Sequence, residues 1–451
     1  MDVSLLRNRK ISVIGAARSG VAVAKLLQSQ GSLVFVSDKT GPEKLKTEAQ
    51  MLHELGIVYE LGGHSDRVYD CSLIAISPGV PSNAPVVLEA RKRGINVVSE
   101  VEVASWFCRS PIIAITGSNG KTTTTTLIGR ILGDAKKKHF VAGNIGTAFS
   151  SIVLELAPTD LAVLEISSFQ LDHCETFRPR ISAIMNITQN HMDRYDYSME
   201  KYAGSKARIF MNQKDDDALI YDADDEQTAK IVQNARCRKI PFSTRQRLTE
   251  GAYVEGRALV TTLDGRHTEV INVNDISIKG PHNLYNAMAA SLVGHLTGVG
   301  TASIRATLKN FKGVEHRQEF VREVNGVRYY NDSKATSVEA VWYALQAFDQ
   351  PIVLMLGGRD KGNDYSRIWD LVQKHVRAVV AIGESAEKVG KAFSGTKPVR
   401  TANSIEEAVQ TAQSLAQTGD VVLLSPACAS FDWFENYEQR GRVFKELVKN
   451  L

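Results

Sequence analysis

Gly117-Ser118-Asn119-Gly120-Lys121-Thr122-Thr123 is a run whose residue types and order suit polyphosphate chemistry. Glycines let backbone N–H groups close around an anion, the lysine reaches the β- and γ-phosphates, and the next hydroxyl can hold Mg2+. The usual motif, G-x-x-x-x-G-K-[ST], would place its first glycine at Ile115, so this loop is a shortened form. Glu165 ends an apolar run, Leu161 to Leu164, and an acid at a strand end beside a phosphate loop is placed to hold Mg2+. His191 follows another such run, Ala183 to Ile187, where it reads equally as a ligand or as a satisfied histidine. Lys206 falls on a helix expected over Met199 to Phe210, and periodicity alone makes it a solvated lysine. Asn283 and Asn286 share one helical face and suit either capping or amide contacts to a base.

These residues need elements to hold them. Ile112 to Ile115 is bounded by Pro111 and Gly117, the pattern of a buried parallel strand, and Leu127, Ile128, Ile131 and Leu132 then recur at helical spacing. Strand, glycine loop and helix follow in that order, and the helix N-terminus adds positive potential at the loop. The plainer alternative, a strand-to-helix turn with an exposed lysine, seldom carries G-K-T in this setting. From Lys239 to Ile278 short β-rich runs alternate with turns, which predicts a small antiparallel insertion.

Nearer the N-terminus, Ile11 to Ile14 leads through Gly15-Ala16-Ala17-Arg18-Ser19-Gly20 into an amphipathic helix and a second strand ending at Asp38. This is a βαβ unit with the glycine turn of a dinucleotide fold, but Ala17 replaces the middle glycine. Asp38 stands near the spacing of a ribose-binding acid, so a nicotinamide-dependent oxidoreductase is one reading. Nothing downstream resembles a hydride-transfer site, and the same geometry accepts other nucleotide diphosphates. Leu73 to Ile76 ends in Ser77-Pro78-Gly79, at a carboxyl end where such folds place ligands. Towards the C-terminus, Asn325-Gly326 signals a hairpin, and Ile352 to Leu356, Val379 to Ile382 and Val421 to Leu424 read as strands of a third α/β unit. Polar clusters follow these strands, around Asp332 and Lys334, Arg359 and Lys361, and Ser425 to Ser430.

The chain has 451 residues, room for about three domains at roughly 150 residues each. A net charge of +4 is too small to argue for a nucleic-acid or membrane partner. Cys71, Cys108, Cys174, Cys237 and Cys428 form no C-x-x-C pair, and an odd number suits a reducing compartment. With no secretory leader and no long apolar segment, a cytoplasmic protein is expected. A phosphate-loop switch driven by a nucleotide is the remaining rival.

TGSNGKTT, LEISSFQL, NHMDRY, GPHNLYNAMAA, EHR, NDSKATS and LLSPACASFDWFENYEQRG together resemble the Mur ligase family, over a span from about Ile11 to the C-terminus. NDSKATS and SPACASFD are most similar to its D-glutamate-adding branch. The resemblance implies three α/β domains: a Rossmann-like domain over 1–108 for a uridine-nucleotide substrate, a central P-loop ATPase over 109–314 with a small antiparallel β insertion, and a Rossmann-like domain over 315–451 for amino acid and ATP. It implies that ATP phosphorylates the carboxylate of UDP-N-acetylmuramoyl-L-alanine and that D-glutamate attacks the acyl phosphate, in peptidoglycan precursor synthesis. Another Mur ligase activity, or one like folylpolyglutamate synthetase, is the alternative. A monomer is expected.

Residue by residue, the resemblance assigns Gly117, Ser118, Asn119, Gly120, Lys121, Thr122, Thr123, Asn283, Asn286, Arg317 and Asp332 to ATP. Arg18, Ser19, Asp38, Lys39, Gly79, Asn144, Ser167 and Gln170 go to the uridine substrate. Thr336, Lys361, Ser430, Phe431 and Tyr437 go to D-glutamate. Two Mg2+ sites would use Thr122, Glu165, His191 and Lys206, the last as a carbamate formed with CO2, and the catalytic set would be Lys121, His191, Lys206 and Lys334.

Overall fold

Isoleucine, valine and leucine dominate the runs that become inner strands, and burial on both faces explains why these runs are continuous rather than alternating. The structure, a computed structural model, describes residues 3–144, 146–360 and 362–451. The chain divides into two compact units, Met1–Asp275 with Tyr285–Lys309, and Ile276–Leu284 with Asn310–Leu451.

The first unit holds two sheets. β1 (Lys10–Ile14), β2 (Leu33–Asp38), β3 (Val58–Leu61), β4 (Leu73–Ile76) and β5 (Asn96–Ser99) form a parallel sheet in the order β3-β2-β1-β4-β5. The second sheet has nine strands: β6 (Ile112–Thr116), β7 (His139–Gly143), β8 (Leu161–Glu165), β9 (Ile181–Ile184), β10 (Ala218–Asp222), β11 (Arg238–Ser243), β12 (Gly251–Glu255), β13 (Ala258–Leu263) and β14 (Arg266–Asn272). Its order is β14-β13-β12-β11-β10-β9-β6-β8-β7. β6 lies between β8 and β9, with Ile115 opposite Glu165 on one side and Ala183 on the other. That register sets the phosphate run, the metal-type acid and the segment after β9 at one carboxyl edge.

The antiparallel strands expected as an insertion form, and they extend the main sheet. β11 pairs in parallel with β10, and Phe242 and Ser243 of β11 pair in parallel with Ala252 and Tyr253 of β12 before β13 and β14 turn antiparallel. Phe242, Tyr253, Leu259 and Ile271 are buried, so each of these strands contributes to the core. The two sheets also share a core. Leu26, Val101 and Ala104, from helices Arg18–Ser29 and Glu100–Phe107, pack with Phe149, Leu164 and Phe177.

The second unit carries one six-stranded sheet of β15 (Glu319–Val324), β16 (Val327–Asn331), β17 (Ile352–Gly357), β18 (Val376–Ile382), β19 (Val399–Ala402) and β20 (Val421–Leu424), in the order β15-β16-β20-β17-β18-β19. The hairpin forms at Asn325-Gly326, where φ is 51° and 76° as a two-residue turn of this hand requires. The remaining pairings are parallel.

Candidate active site

β6 is buried at every residue and ends in a loop whose glycines are fixed by their surroundings. Gly117 has φ +149°, and a Cβ there would lie 3.0 Å from Met185 Cβ. Gly120 has φ +82°, and a Cβ there would meet Asn286 Oδ1 at 2.5 Å. Helix Lys121–Asp134 starts immediately after, so its N-terminal N–H groups and dipole address the loop. Lys121 Nζ folds over the loop and donates to the carbonyls of Gly117 and Ser118, each at 2.8 Å. Thr122 and Thr123 are buried in the first turn, and Thr124 Oγ1 donates to Asn286 Oδ1 at 3.1 Å.

The segment after β9 braces this loop. Ser118 N–H donates to Asn186 O at 2.8 Å, and Asn119 N–H donates to Asn186 Oδ1 at 2.9 Å. Ser118 Oγ donates to Thr188 O and accepts from Thr188 N–H, both at 2.9 Å. The N–H groups of Ser118 and Asn119 are thus engaged within the protein.

Lys206 overturns its periodicity reading. Helix Met199–Ala207 turns it inward, where it is 1% exposed. Its Nζ donates to Gly117 O at 2.9 Å and lies 4.5 Å from the centre of the Tyr202 ring. Burial, and then the charge of Lys121, hold its pKa well below that of an ordinary lysine. His191 has φ 53° and packs edge-on to Phe169 at 4.9 Å. Burial first, then Lys121, lower its pKa to about 4, so the imidazole is neutral near pH 7 and keeps a lone pair. Glu165, at the end of β8, accepts from Asn144 Nδ2 at 2.8 Å. Hydroxyl, carboxylate and neutral imidazole fit a divalent cation, whereas a charged ammonium at Lys206 would not.

The N-terminal turn opens into a cavity of about 580 Å3. Arg18, Ser19, Asp38, Lys39, Gly79 and Asn144 all line it. Asp38 already accepts from Ala16 N–H and Thr40 N–H, each at 2.7 Å, so it shapes the turn as well as facing the cavity. His64 also lines the cavity and went unread in the sequence; Ser37 Oγ, 2.7 Å from its Nδ1, orients it. Ser167 and Gln170 do not line this cavity. They form a capping box, with Gln170 Oε1 accepting from Ser167 N–H and Oγ at 2.9 Å each. The S-x-x-Q spacing was the available signal.

In the second unit, β16 delivers Asp332 into a buried position where its carboxylate accepts from Ser425 Oγ at 2.7 Å and Gln318 N–H at 3.1 Å. Burial raises its pKa to about 7, against the opposing Ser425 bond and Arg317 charge. Lys334 Nζ lies 5.7 Å from the Tyr437 ring centre, and Ser430 is buried while Thr336 and Phe431 are exposed. Arg440, absent from the sequence reading, is 2% exposed and donates to Ser333 Oγ, Ser333 O and Cys428 O, tying the two polar clusters together. Asn283 Nδ2 donates to Lys279 O at 2.7 Å. Lys361 lies outside the described residues.

Three family models match the chain: the Mur ligase middle domain over residues 115–294, the Mur ligase glutamate ligase domain over 316–428, and the MurD N-terminal domain over 10–86. The UDP-N-acetylmuramoylalanine--D-glutamate ligase of Salinibacter ruber is 46% identical over 456 residues, covering 99% of each chain. That of Chloroherpeton thalassium is 46% identical over 463 residues, again 99% of each. Among solved structures, UDP-N-acetylmuramate-alanine ligase from Thermotoga maritima superposes with a TM-score of 0.61 at 20% identity, covering 98% of this chain and 99% of that one. A pseudomurein peptide ligase type C from Methanothermus fervidus gives 0.60 at 20% identity, covering 98% and 100%. At that identity the structures speak for the fold alone.

Proposed function

The chain belongs to the Mur ligase family, and from that premise we propose that it is an ATP-dependent ligase joining D-glutamate to the alanyl carboxylate of UDP-N-acetylmuramoyl-L-alanine, in peptidoglycan precursor synthesis. The observation that carries the reading is end-to-end identity of 46% with proteins of that name. A carboxylate is a poor electrophile, and phosphorylation gives it a leaving group. Two anions must then approach, and bound Mg2+ would supply the charge that permits it.

The chain's own residues support the parts of this reaction. Lys121 and the helix N-terminus behind it offer positive potential to the ATP phosphates. Thr122, Glu165 and neutral His191 are suited to hold metal. The 580 Å3 cavity has the dimensions for a uridine nucleotide, with Arg18, Asp38, Lys39 and Asn144 set in a largely apolar lining, and Asn144 joins that cavity to Glu165. Lys334, Thr336, Ser430, Phe431 and Tyr437, with Lys361, form the proposed D-glutamate set. Arg317 and Asp332, with Asn283 and Asn286, form the remaining ATP contacts. No helix among the described residues is long and apolar enough to cross a membrane. A monomer in the cytoplasm completes the proposal.

Phosphate release from ATP, measured with UDP-N-acetylmuramoyl-L-alanine and a panel of amino acids, tests the activity. D-Glutamate should sustain turnover; L-glutamate, L-lysine and diaminopimelate should be poor substrates. Equal rates with L-lysine would assign another Mur ligase activity.

Lys206 belongs to this proposal as a carbamate. A buried amine whose pKa lies well below that of an ordinary lysine gives up its proton more readily and can then add CO2, and the product places two anionic oxygens beside the loop where an ammonium would repel metal. Lys206→Ala should fold and lose about 10²-fold in turnover, as for one lost electrostatic stabiliser. High acetate should restore part of it. A Lys206→Arg protein as active as the parent would exclude the carbamate.

A further inference from the structure

β9 ends at Ile184, but the chain runs on beside the phosphate loop and keeps bonding to it. Met185 N–H donates to Thr116 O at 3.0 Å, the last bond of ladder type. Past that point the loop turns away, and Asn186 bridges the difference with both its backbone and its side chain. Its carbonyl accepts from Ser118 N–H at 2.8 Å. Its carboxamide then meets the Asn119 peptide twice: Oδ1 accepts from Asn119 N–H at 2.9 Å, and Nδ2 donates to Asn119 O at 3.3 Å. A carboxamide carries the donor and acceptor of a peptide group, so Asn186 acts as one more strand residue where the backbone has left pairing distance. The next residue is held in turn, with Ile187 N–H donating to Asp225 Oδ2 at 3.1 Å.

A loop without the first glycine of the longer motif has little chain with which to set its own shape. Gly117 also lies close to Met185 and Asn186, with little room for a Cβ. We propose that Asn186 is a positioning residue for the reaction: its carboxamide pair with the Asn119 peptide holds the shortened phosphate loop in the form that accepts polyphosphate. The inference rests on the ATP reading of that loop. Asparagine is required because aspartate has no donor for Asn119 O, and glutamine carries the same groups a methylene too far out.

The test uses the full chain and two probes, ADP for the loop and UDP for the N-terminal cavity, with affinities from calorimetry and the KM for ATP from phosphate release. Asn186→Ala should weaken ADP about 30-fold, which is about 2 kcal/mol for two hydrogen bonds. UDP affinity should stay at the parental value, and the KM for ATP should rise with ADP. Asn186→Asp should cost at least as much as Asn186→Ala despite its matching size, because it sets oxygen against oxygen and adds negative charge beside the phosphates. A purely scaffolding role predicts the reverse order, with Asn186→Asp the milder change and UDP affinity falling in parallel with ADP. Asn186→Gln is the second variant should Asn186→Ala fail to fold, and it too should weaken ADP. Parental ADP affinity in any folded variant, or parallel loss of UDP, overturns the inference. A parent protein that binds UDP but no ADP would instead remove the ATP reading itself.

Discussion

Two strand–turn–helix units stand in the same compact unit and use glycine in the same way, yet different side chains converge on them. At the turn Gly15 to Gly20, a Cβ on Gly15 would meet Ser77 Cβ at 2.7 Å, and one on Gly20 would lie 1.7 Å from Gly15 O. Ala17, between them, has extended backbone and an exposed side chain, so no glycine is needed there. No lysine follows the turn, and its acid, Asp38, is bonded to backbone N–H groups. At the loop Gly117 to Gly120, lysines arrive from two directions and a neighbouring segment holds the backbone. The glycines say only that chain and ligand approach closely. The side chains that converge decide which ligand.

The sharpest break in that comparison is at Lys121. Lys121→Ala should reduce turnover by at least ~10²-fold while leaving UDP affinity and folding intact, as for removal of one preorganised charge. Full turnover in a folded variant would place the two turns on an equal footing. Next is a pair of substitutions in the first turn. Gly20→Ala should destabilise the protein by about 1–3 kcal/mol through overpacking and abolish UDP binding. Ala17→Gly, which restores the dinucleotide fingerprint, should change stability by no more than ~0.5 kcal/mol and create no NAD affinity. Tight NAD binding by that variant would show that the missing glycine alone had set the specificity.

The smallest effect probes the seam between the two regions. Glu100, 1% exposed, accepts from Ser150 N–H at 2.7 Å across the shared core. Burial raises its pKa above the ordinary 4.5, against its bonds to Ser150. The folded state therefore holds a proton that the unfolded chain releases first. Stability from this group is complete below about pH 4.5 and is lost as pH rises through the folded pKa. Glu100→Gln keeps the acceptor and should flatten the decline in urea stability as pH rises above about 4.5. Parallel curves for parent and variant would remove Glu100 as the source.

Elements whose signal is local were readable from the sequence. The change from a continuous apolar run to helical spacing around Gly117 marks β6, the loop and the helix, because each side of the change follows from neighbours in the chain. The Asn325-Gly326 hairpin is equally local. Lys206 was not, since helical periodicity says which residues share a face but not that Tyr202 and the Gly117 carbonyl cover that face. Asn186 and Arg440 were invisible for a related reason. Their partners are mostly backbone groups brought near by sheet register and chain reversal, and backbone groups leave no trace in residue type. Ser167 and Gln170 carry a signal of the local kind, since the S-x-x-Q spacing marks the capping box they form at the start of a helix.

The strands that extend the nine-stranded sheet also determine where it stops. β14 is its last strand among the described residues, and Arg305 covers part of it by donating to the carbonyls of Val270 at 2.6 Å and Glu269 at 3.0 Å. Arg266, His267 and Glu269 stand on the exposed half of that strand, and Arg238 reaches Asp264 in the turn just before it. A foreign strand adding here would have to align its own side chains against these charged groups and desolvate them. The residues that finish the sheet therefore disfavour the addition of a further strand.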